Sequence, residues 1–316
     1  KNFSGGNLGT PLLDFSKKNN KIEYHIIELS SFQLESAISF NPFISVLLNI
    51  SPDHLDRYKN FKKYISQKEK IISSNKSGYN IVCIDDDNTF KLYKKYQKQT
   101  IPISNHYLKK GIFYRDNCII DNYFTIKKDV DLIEISESLF GSFNIENILA
   151  AYVVSRLLDI NIDNFKNLIK NFHGLSHRQE KIYQNDNVQV INNSKATNVQ
   201  ATLKSITNYE NISLILGGRA KEKIFKKIID YKNKIRKIYL IGEAAPMIFK
   251  QLNRIINCEI FENIDLASKK ILLDIKKEKN FQTILFSPAC TSFDQFMNFE
   301  KRGEYFKKII SRTIND

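Results

Sequence analysis

The sequence predicts an α/β protein of two domains, each built around a mostly parallel sheet. Three observations support this. Short apolar runs of strand length alternate with longer stretches of helical spacing along most of the chain. At 316 residues the chain is longer than one core usually organises. Polar clusters directly follow several of the strand-like runs, as they do in α/β proteins that bind ligands at the carboxyl ends of parallel strands.

The elements follow in order. Residues 22–30, IEYHIIELS, and 43–50, FISVLLNI, read as buried parallel strands ending in polar residues. A helix is expected at about 60–74, then a strand at 79–84, YNIVCI, then short β segments with YRDNC (114–118) as a hairpin turn. The stretch FNIENILAAYVVSRLLD places Ile145, Ile148, Leu149, Tyr152 and Leu157 on one face of an amphipathic helix. A second helix ends near Phe172, and the polar HGLSHRQE (173–180) marks a boundary between domains at 1–172 and 173–316. Beyond it, VQVIN, VQATLKSI, ISLILGG, KEKIFKKIIDY, KIYLIG, AAPMIFKQL, FQTILFS and a last helix through FMNFEKRGEYFKKII alternate strand with helix, which predicts a doubly wound domain.

Hydrophobic residues at 42% and aromatics at 12% supply material for two cores. The net charge of +14 comes from lysines spread over the whole chain, without an RNP-like motif, a zinc finger or a basic heptad region. It argues for anionic small substrates rather than nucleic acid. Cys83, Cys118, Cys258 and Cys290 lie far apart with no metal-ligand spacing, and the simplest compartment for them is a reducing cytoplasm. No apolar run is long enough to span a bilayer.

Four polar clusters carry the chemistry: ELSSFQLE (28–35), SPDHLDRY (51–58), NNSKATN (192–198) and SPACTSFDQF (287–296). Glu28 and His54 end strands that can lie side by side, so a carboxylate and an imidazole can meet on one cation; taken alone, Glu28 reads more readily as a surface or capping acid. Lys195 sits at a strand-to-helix junction, where free N–H groups favour anions. A solvated lysine and Thr197 as a helix N-cap explain the same residues.

Together with GGNLGTP, NISPDHLDRY, GSFNIENILAA, FHGLSHRQE, INNSKATN, LILGG and SPACTSFDQFMNFEKRG, these blocks resemble, in order, the Mur ligase family of peptidoglycan synthesis. The resemblance implies a central ATP-binding domain with a small β subdomain, followed by a Rossmann-like C-terminal domain. It implies an ADP-forming ligase, cytoplasmic and monomeric, that uses ATP and Mg²⁺ to join D-glutamate to UDP-N-acetylmuramoyl-L-alanine through an acyl phosphate. Carried residue by residue, it implies Glu28, His54 and a carbamylated Lys68 at the metal, although Lys68 also reads as an ordinary helix lysine. Asn7, Ser30 and Gln33 then fall near the phosphates and the substrate, and Asn144, Asn147, Arg178 and Asn193 at the nucleotide. Lys195, Thr197, Lys221, Ser292, Phe293 and Phe299 form the acceptor pocket. Phe299 as helix core and Ser292 as a helix cap are the plain alternatives.

Three departures accompany the resemblance. The phosphate loop G-x-x-x-x-G-K-[ST] is absent from the 316 residues; it is expected upstream with a uridine-binding domain, so the chain as given is expected to be inactive alone. Asn193 stands where the family usually has an aspartate, and Phe143 where it often has a histidine. Two other readings compete. One is a ligase of the same superfamily with a different amino acid, including the folylpolyglutamate type, which SPACTSFDQF disfavours. The other is a non-catalytic binding remnant, which the joint presence of Glu28, His54, Lys68, Lys195 and Lys221 disfavours.

Overall fold

The computed structural model describes residues 2–7, 9, 11, 22–53, 57–126, 129–131, 135–136, 139, 142–275 and 280–315. The chain forms two compact units: 1–135 with 142–170, and 136–141 with 171–316. Among the described residues no helix is long and apolar enough to cross a membrane.

In the first unit, β1 (Asn2–Gly6) and β2 (Tyr24–Glu28) pair in parallel, with Gly6 opposite Glu28. The short helix α1 (Ser31–Ser36) follows directly. A second sheet runs β3 (Ile44–Leu47), β4 (Tyr79–Cys83), β5 (Thr100–Ser104), β6 (Ile112–Arg115), β7 (Cys118–Asp121), β8 (Val130–Asp131), parallel from β3 to β6 and antiparallel beyond. Helices α2 (Phe61–Ser73) and α3 (Asp87–Lys95) bury Ile72 and Leu92 with Leu47 and Val82 of this sheet. The turn between β6 and β7 puts Asp116 at φ 51° and Asn117 at φ 58°. A two-residue loop with two positive φ angles is the turn whose twist suits a hairpin, and Asp and Asn tolerate it best after glycine.

Two expectations for this unit need correction. β2 is parallel but not buried: Tyr24 is 43% and Ile26 61% exposed, because β2 and β1 form a two-stranded sheet by themselves. Helix α4 (Ser142–Leu157) buries Ile145, Ile148, Leu149 and Tyr152 as expected, but also Ala150, Val153 and Ser155, while Leu157 is only half-buried. Its cover therefore reaches well beyond one stripe. Helix α5 (Ile162–Lys170) closes the unit.

The second unit is a single sheet in the order β13-β12-β11-β14-β10-β9. Its parallel strands are β10 (Val188–Asn192), β11 (Ile212–Gly217), β12 (Ile235–Ile241), β13 (Cys258–Ile260) and β14 (Gln282–Phe286); β9 (Glu180–Gln184) is antiparallel at the edge. Helices α6 (Val199–Ile206), α7 (Ala245–Leu252), α8 (Ile264–Ile275) and α9 (Phe299–Asn315) connect or follow the strands. Two hydrophobic clusters contain this sheet's inward residues, Leu214 and Leu240 in one, Ile215 and Tyr239 in the other, which is the alternation of a sheet covered on both faces. KEKIFKKIIDY is not an α-helix; a 3₁₀ segment at Lys226–Tyr231 lies between buried Phe225 and the next strand, with Ile228 turned inward. The loops after β11, β14 and β10 leave from three neighbouring strands, and they carry Lys221, Ser292 and Lys195.

Candidate active site

In the first unit the candidate residues gather at the carboxyl end of β2. The side chain of Asn7 donates to Glu28 Oε1 at 3.0 Å, and its backbone N–H donates to the Glu28 carbonyl at 2.8 Å. Gly6, at φ 110°, makes this possible, since a Cβ there would lie 2.5 Å from the Glu28 carbonyl oxygen. Ser30 and Gln33 form a reciprocal capping box on α1: Gln33 N–H donates to Ser30 Oγ at 3.2 Å, and Gln33 Oε1 accepts from Ser30 N–H at 2.9 Å. The S-x-x-Q spacing is a sequence signal for this cap. Lys70 Nζ donates to the carbonyls of Leu34 and Glu35 at 3.2 and 3.1 Å, tying the end of α1 to α2.

Lys68 lies half-buried on α2. Burial lowers its amine below the ordinary lysine range, while the negative charges of Glu28 and Asp53 act on it in the opposite sense. The chain thus brings Lys68, Glu28 and Asp53 into one electrostatic neighbourhood. Asp53 is a residue that sequence reasoning missed, although it directly precedes His54. His54 itself lies outside the described residues, as does the side chain of Phe143.

Asn144 and Asn147 stand in the first turns of α4, where Asn147 Nδ2 donates to Asn144 Oδ1 at 3.3 Å. Glu146 between them accepts from Asn49 Nδ2 at 3.3 Å. Cys83, Asp85 and Glu146 are close enough to share an ion. However, burial pushes the Cys83 thiol up, keeping it a protonated and poor ligand, and Asp85 already accepts from Ser104 and Asn105.

In the second unit, Lys195 Nζ sits 4.0 Å from the centroid of the Phe299 ring. Phe299 is the half-buried first residue of α9 and covers the lysine rather than filling the core. Thr197 is half-buried and does not cap the helix; Asn198 does, accepting from Ala201 N–H at 2.8 Å. Ser292 is buried, and α9 is instead capped by Asn298, which accepts from Lys301 N–H at 2.8 Å. Phe293 is 61% exposed, and Lys221 and Arg178 are exposed. Gly218 has φ 128°, and a Cβ on it would meet the Thr291 carbonyl oxygen at 2.3 Å. That close approach lets Arg219 and Thr291 exchange backbone hydrogen bonds of 2.9 Å, joining the loop of Lys221 to the loop of Ser292.

Asn193, which the resemblance carries to the nucleotide, lies just beyond the end of β10. It is buried, its amide donates to Ser205 Oγ and Ser287 Oγ at 3.1 and 3.2 Å, and its oxygen accepts from Gln179 N–H at 3.3 Å. These bonds turn its polar atoms into the fold. Sequence reasoning also missed His177 and Arg302. His177 is buried at φ 64°; its carbonyl accepts from Lys195 N–H at 3.1 Å, and its Nδ1 lies 3.0 Å from the amide of buried Asn192. Burial lowers the His177 pKa, with Glu180 opposing. The ring is seated against Gly303 of α9, where a Cβ would come within 2.2 Å of Nδ1.

Residues 4–155 match the family model of the Mur ligase middle domain. The UDP-N-acetylmuramoylalanine–D-glutamate ligase of Rickettsia prowazekii is 38% identical over 97% of this chain and 69% of its own length. The chain belongs to the Mur ligase family. The enzyme of the same name from Natranaerobius thermophilus is 34% identical over 98% of the chain and 67% of its own length. Among solved structures, the MurF ligase of Thermotoga maritima in complex with ADP superposes with a TM-score of 0.70 at 18% identity, covering 99% of this chain and 74% of that one. FolC of E. coli, in complex with DHPP and ADP, gives 0.64 at 14% identity, covering 92% and 67%. Both share the Mur ligase fold, which matches the mostly parallel sheets described above.

Proposed function

We infer that this chain carries the ATP-using and acceptor-binding parts of a cytoplasmic, monomeric ligase that joins D-glutamate to UDP-N-acetylmuramoyl-L-alanine in peptidoglycan synthesis, with residues 1–172 serving ATP and 173–316 serving the amino acid. The observation that carries this reading is the half-buried Lys68 amine set among the carboxylates of Glu28 and Asp53. A lysine with a lowered pKa has more of its amine neutral, and a neutral amine can take up CO₂ to give a carbamate and a proton. The product is an oxygen ligand beside Glu28, and carboxylate-type oxygens suit Mg²⁺, which an ammonium would repel. Mg²⁺ bound there would supply positive charge to phosphoryl oxygens.

Glu28, His54 and carbamylated Lys68 would hold that ion; Asn7 orients Glu28, and Ser30 and Gln33 shape the approach to it. Asn144, Asn147 and Arg178 serve the nucleotide. The alanyl carboxylate takes the terminal phosphoryl group of ATP, releasing ADP, and the amine of D-glutamate then displaces phosphate from the acyl carbon through a tetrahedral intermediate. Lys195, steadied by the Phe299 ring, offers its cation to the oxygen on which charge builds. Lys221, Thr197 and Ser292, with the Phe293 segment, receive the two carboxylates of the amino acid.

Steady-state assays of Lys221→Ala and Ser292→Ala, made in an enzyme completed with the upstream segment of a relative, test the acceptor assignment. The KM for D-glutamate is expected to rise roughly tenfold to a hundredfold, the effect of losing one charge-assisted hydrogen bond, while the KM for ATP stays within about threefold. Equal weakening of both substrates would remove these residues from the acceptor pocket.

A further inference from the structure

Arg302 has the largest side chain among those almost wholly buried, at 2% exposure. A lone guanidinium is costly to bury, and the usual remedy is a carboxylate partner. Arg302 has a different set of partners. Its Nε donates to Ser194 Oγ at 3.0 Å, one terminal nitrogen to the Ser194 carbonyl at 2.7 Å, and the other to the Cys290 carbonyl at 3.0 Å. Among the described residues no carboxylate is hydrogen-bonded to it or ion-paired with it. Burial draws its pKa down to about 10, so it is still charged at neutral pH. Neutral carbonyls solvate the cation, and the carboxylate of Asp294 acts on it without a hydrogen bond or ion pair.

Its location gives the charge a use. Ser194 directly precedes Lys195 in the loop after β10, and Cys290 lies two residues before Ser292 in the loop after β14. The loop after β11, which carries Lys221, approaches as well: a Cβ on Gly218 would lie 3.2 Å from an Arg302 terminal nitrogen. Ser194 Oγ also donates to the Phe299 carbonyl at 2.8 Å, one helical turn before Arg302 on α9. Two loops of the acceptor pocket are thus hydrogen-bonded to one buried cation, the loop after β11 packs against it, and Ser194 ties the backbone of Phe299 to the same group. A staple alone would work with any donor of similar shape, whereas a buried charge with no directly bonded carboxylate behind the pocket also biases what the pocket accepts.

We propose that Arg302 is a positioning and specificity-determining residue: it holds the three acceptor loops in register and lends the pocket a buried positive charge that favours a dicarboxylate amino acid over its neutral amide. This rests on the reading of the second unit as the acceptor site. A carboxylate held roughly 8 Å from a guanidinium gains about thirtyfold in affinity at an effective dielectric of about 20.

Ligand-detected NMR titrations with D-glutamate and D-glutamine test the proposal on the wild-type protein and on Arg302→Met, Arg302→Gln and Arg302→Lys, each checked for cooperative melting. Wild type is expected to prefer D-glutamate by roughly tenfold or more; the two neutral variants are expected to lose most of that preference through D-glutamate alone, and Arg302→Lys to restore part of it. A folded neutral variant that keeps the preference, one that weakens both ligands equally, or a lysine variant as indifferent as methionine would each overturn the role given to Arg302. Should neither neutral variant fold, a wild type with less than about threefold preference would overturn it as well. No binding of D-glutamate by wild type would instead overturn the acceptor-site reading, and the proposal with it.

Discussion

In the first unit Glu28 and Gln33 stand exposed, and each is held by a few side-chain and backbone bonds near the end of a two-stranded sheet. In the second, the turns that carry Lys195 and Ser292 are underlain by Asn192, Asn193, Ser194 and Arg302, all buried and hydrogen-bonded to one another's loops. One arrangement leaves its polar groups open to water with few bonds to fix them. The other has already met the ordering cost within the fold, which favours fine discrimination between similar small molecules.

Variants of the two units should therefore fail differently. The largest effect is expected for Lys68→Ala in an enzyme completed with the upstream segment of a relative, with turnover down by at least about a hundredfold and an unchanged melting temperature, and with partial recovery when a small carboxylate is added. Normal turnover in that variant would end the carbamate role. Next comes Asp274→Ala in the second unit. Burial alone would raise this carboxyl, but hydrogen bonds from Lys270, Lys237 and Tyr239 outweigh it and hold it well below the usual range. A group depressed in the folded state stabilises above its unfolded pKa and loses that contribution as acid protonates it. Denaturant unfolding should show the variant about 2 kcal/mol less stable at pH 7, with the gap from wild type shrinking below about pH 4.

Asn193→Ala should cost about 1–3 kcal/mol in the same measurement, because it strips partners from buried Ser205, Ser287 and the Gln179 N–H. If ATP affinity fell while stability held, the buried placement of Asn193 would be wrong. The smallest effect is expected for Ser30→Ala, about 1 kcal/mol from the lost helix cap, detectable by hydrogen exchange on α1 and not by global unfolding of the second unit.

Strands and helices that read clearly in the sequence did so because burial on two faces produces unbroken apolar runs, as in ISLILG of β11. Strand β9, EKIYQ, and the three-residue β13 were missed because an edge strand half open to water, or one that short, carries no such run. Helix α8 was missed too, although Ile264, Ala267, Ile271 and Ile275 share its buried face. The run IEYHIIE shows the converse, apolar residues that stay exposed where, among the described residues, β1 and β2 pair only with each other. The candidate residues were legible as family motifs, but their supports were not. Arg302 lies in NFEKRGEYFKK, where any reader would assign it to solvent, and His177 sits in a polar connector; only the tertiary fold buries either of them.

Gly303 has a practical consequence for anyone seeking a more heat-tolerant enzyme. A glycine inside a long helix is a first choice for replacement by alanine, an exchange worth about 1 kcal/mol in helix propensity. Here the added methyl would occupy the space of the His177 imidazole, which cannot bend aside as a long flexible chain would. Displacing that ring would disturb the connector whose carbonyl holds Lys195. The position that a propensity scale ranks as the easiest gain is one where improving the helix would loosen the loop that carries Lys195.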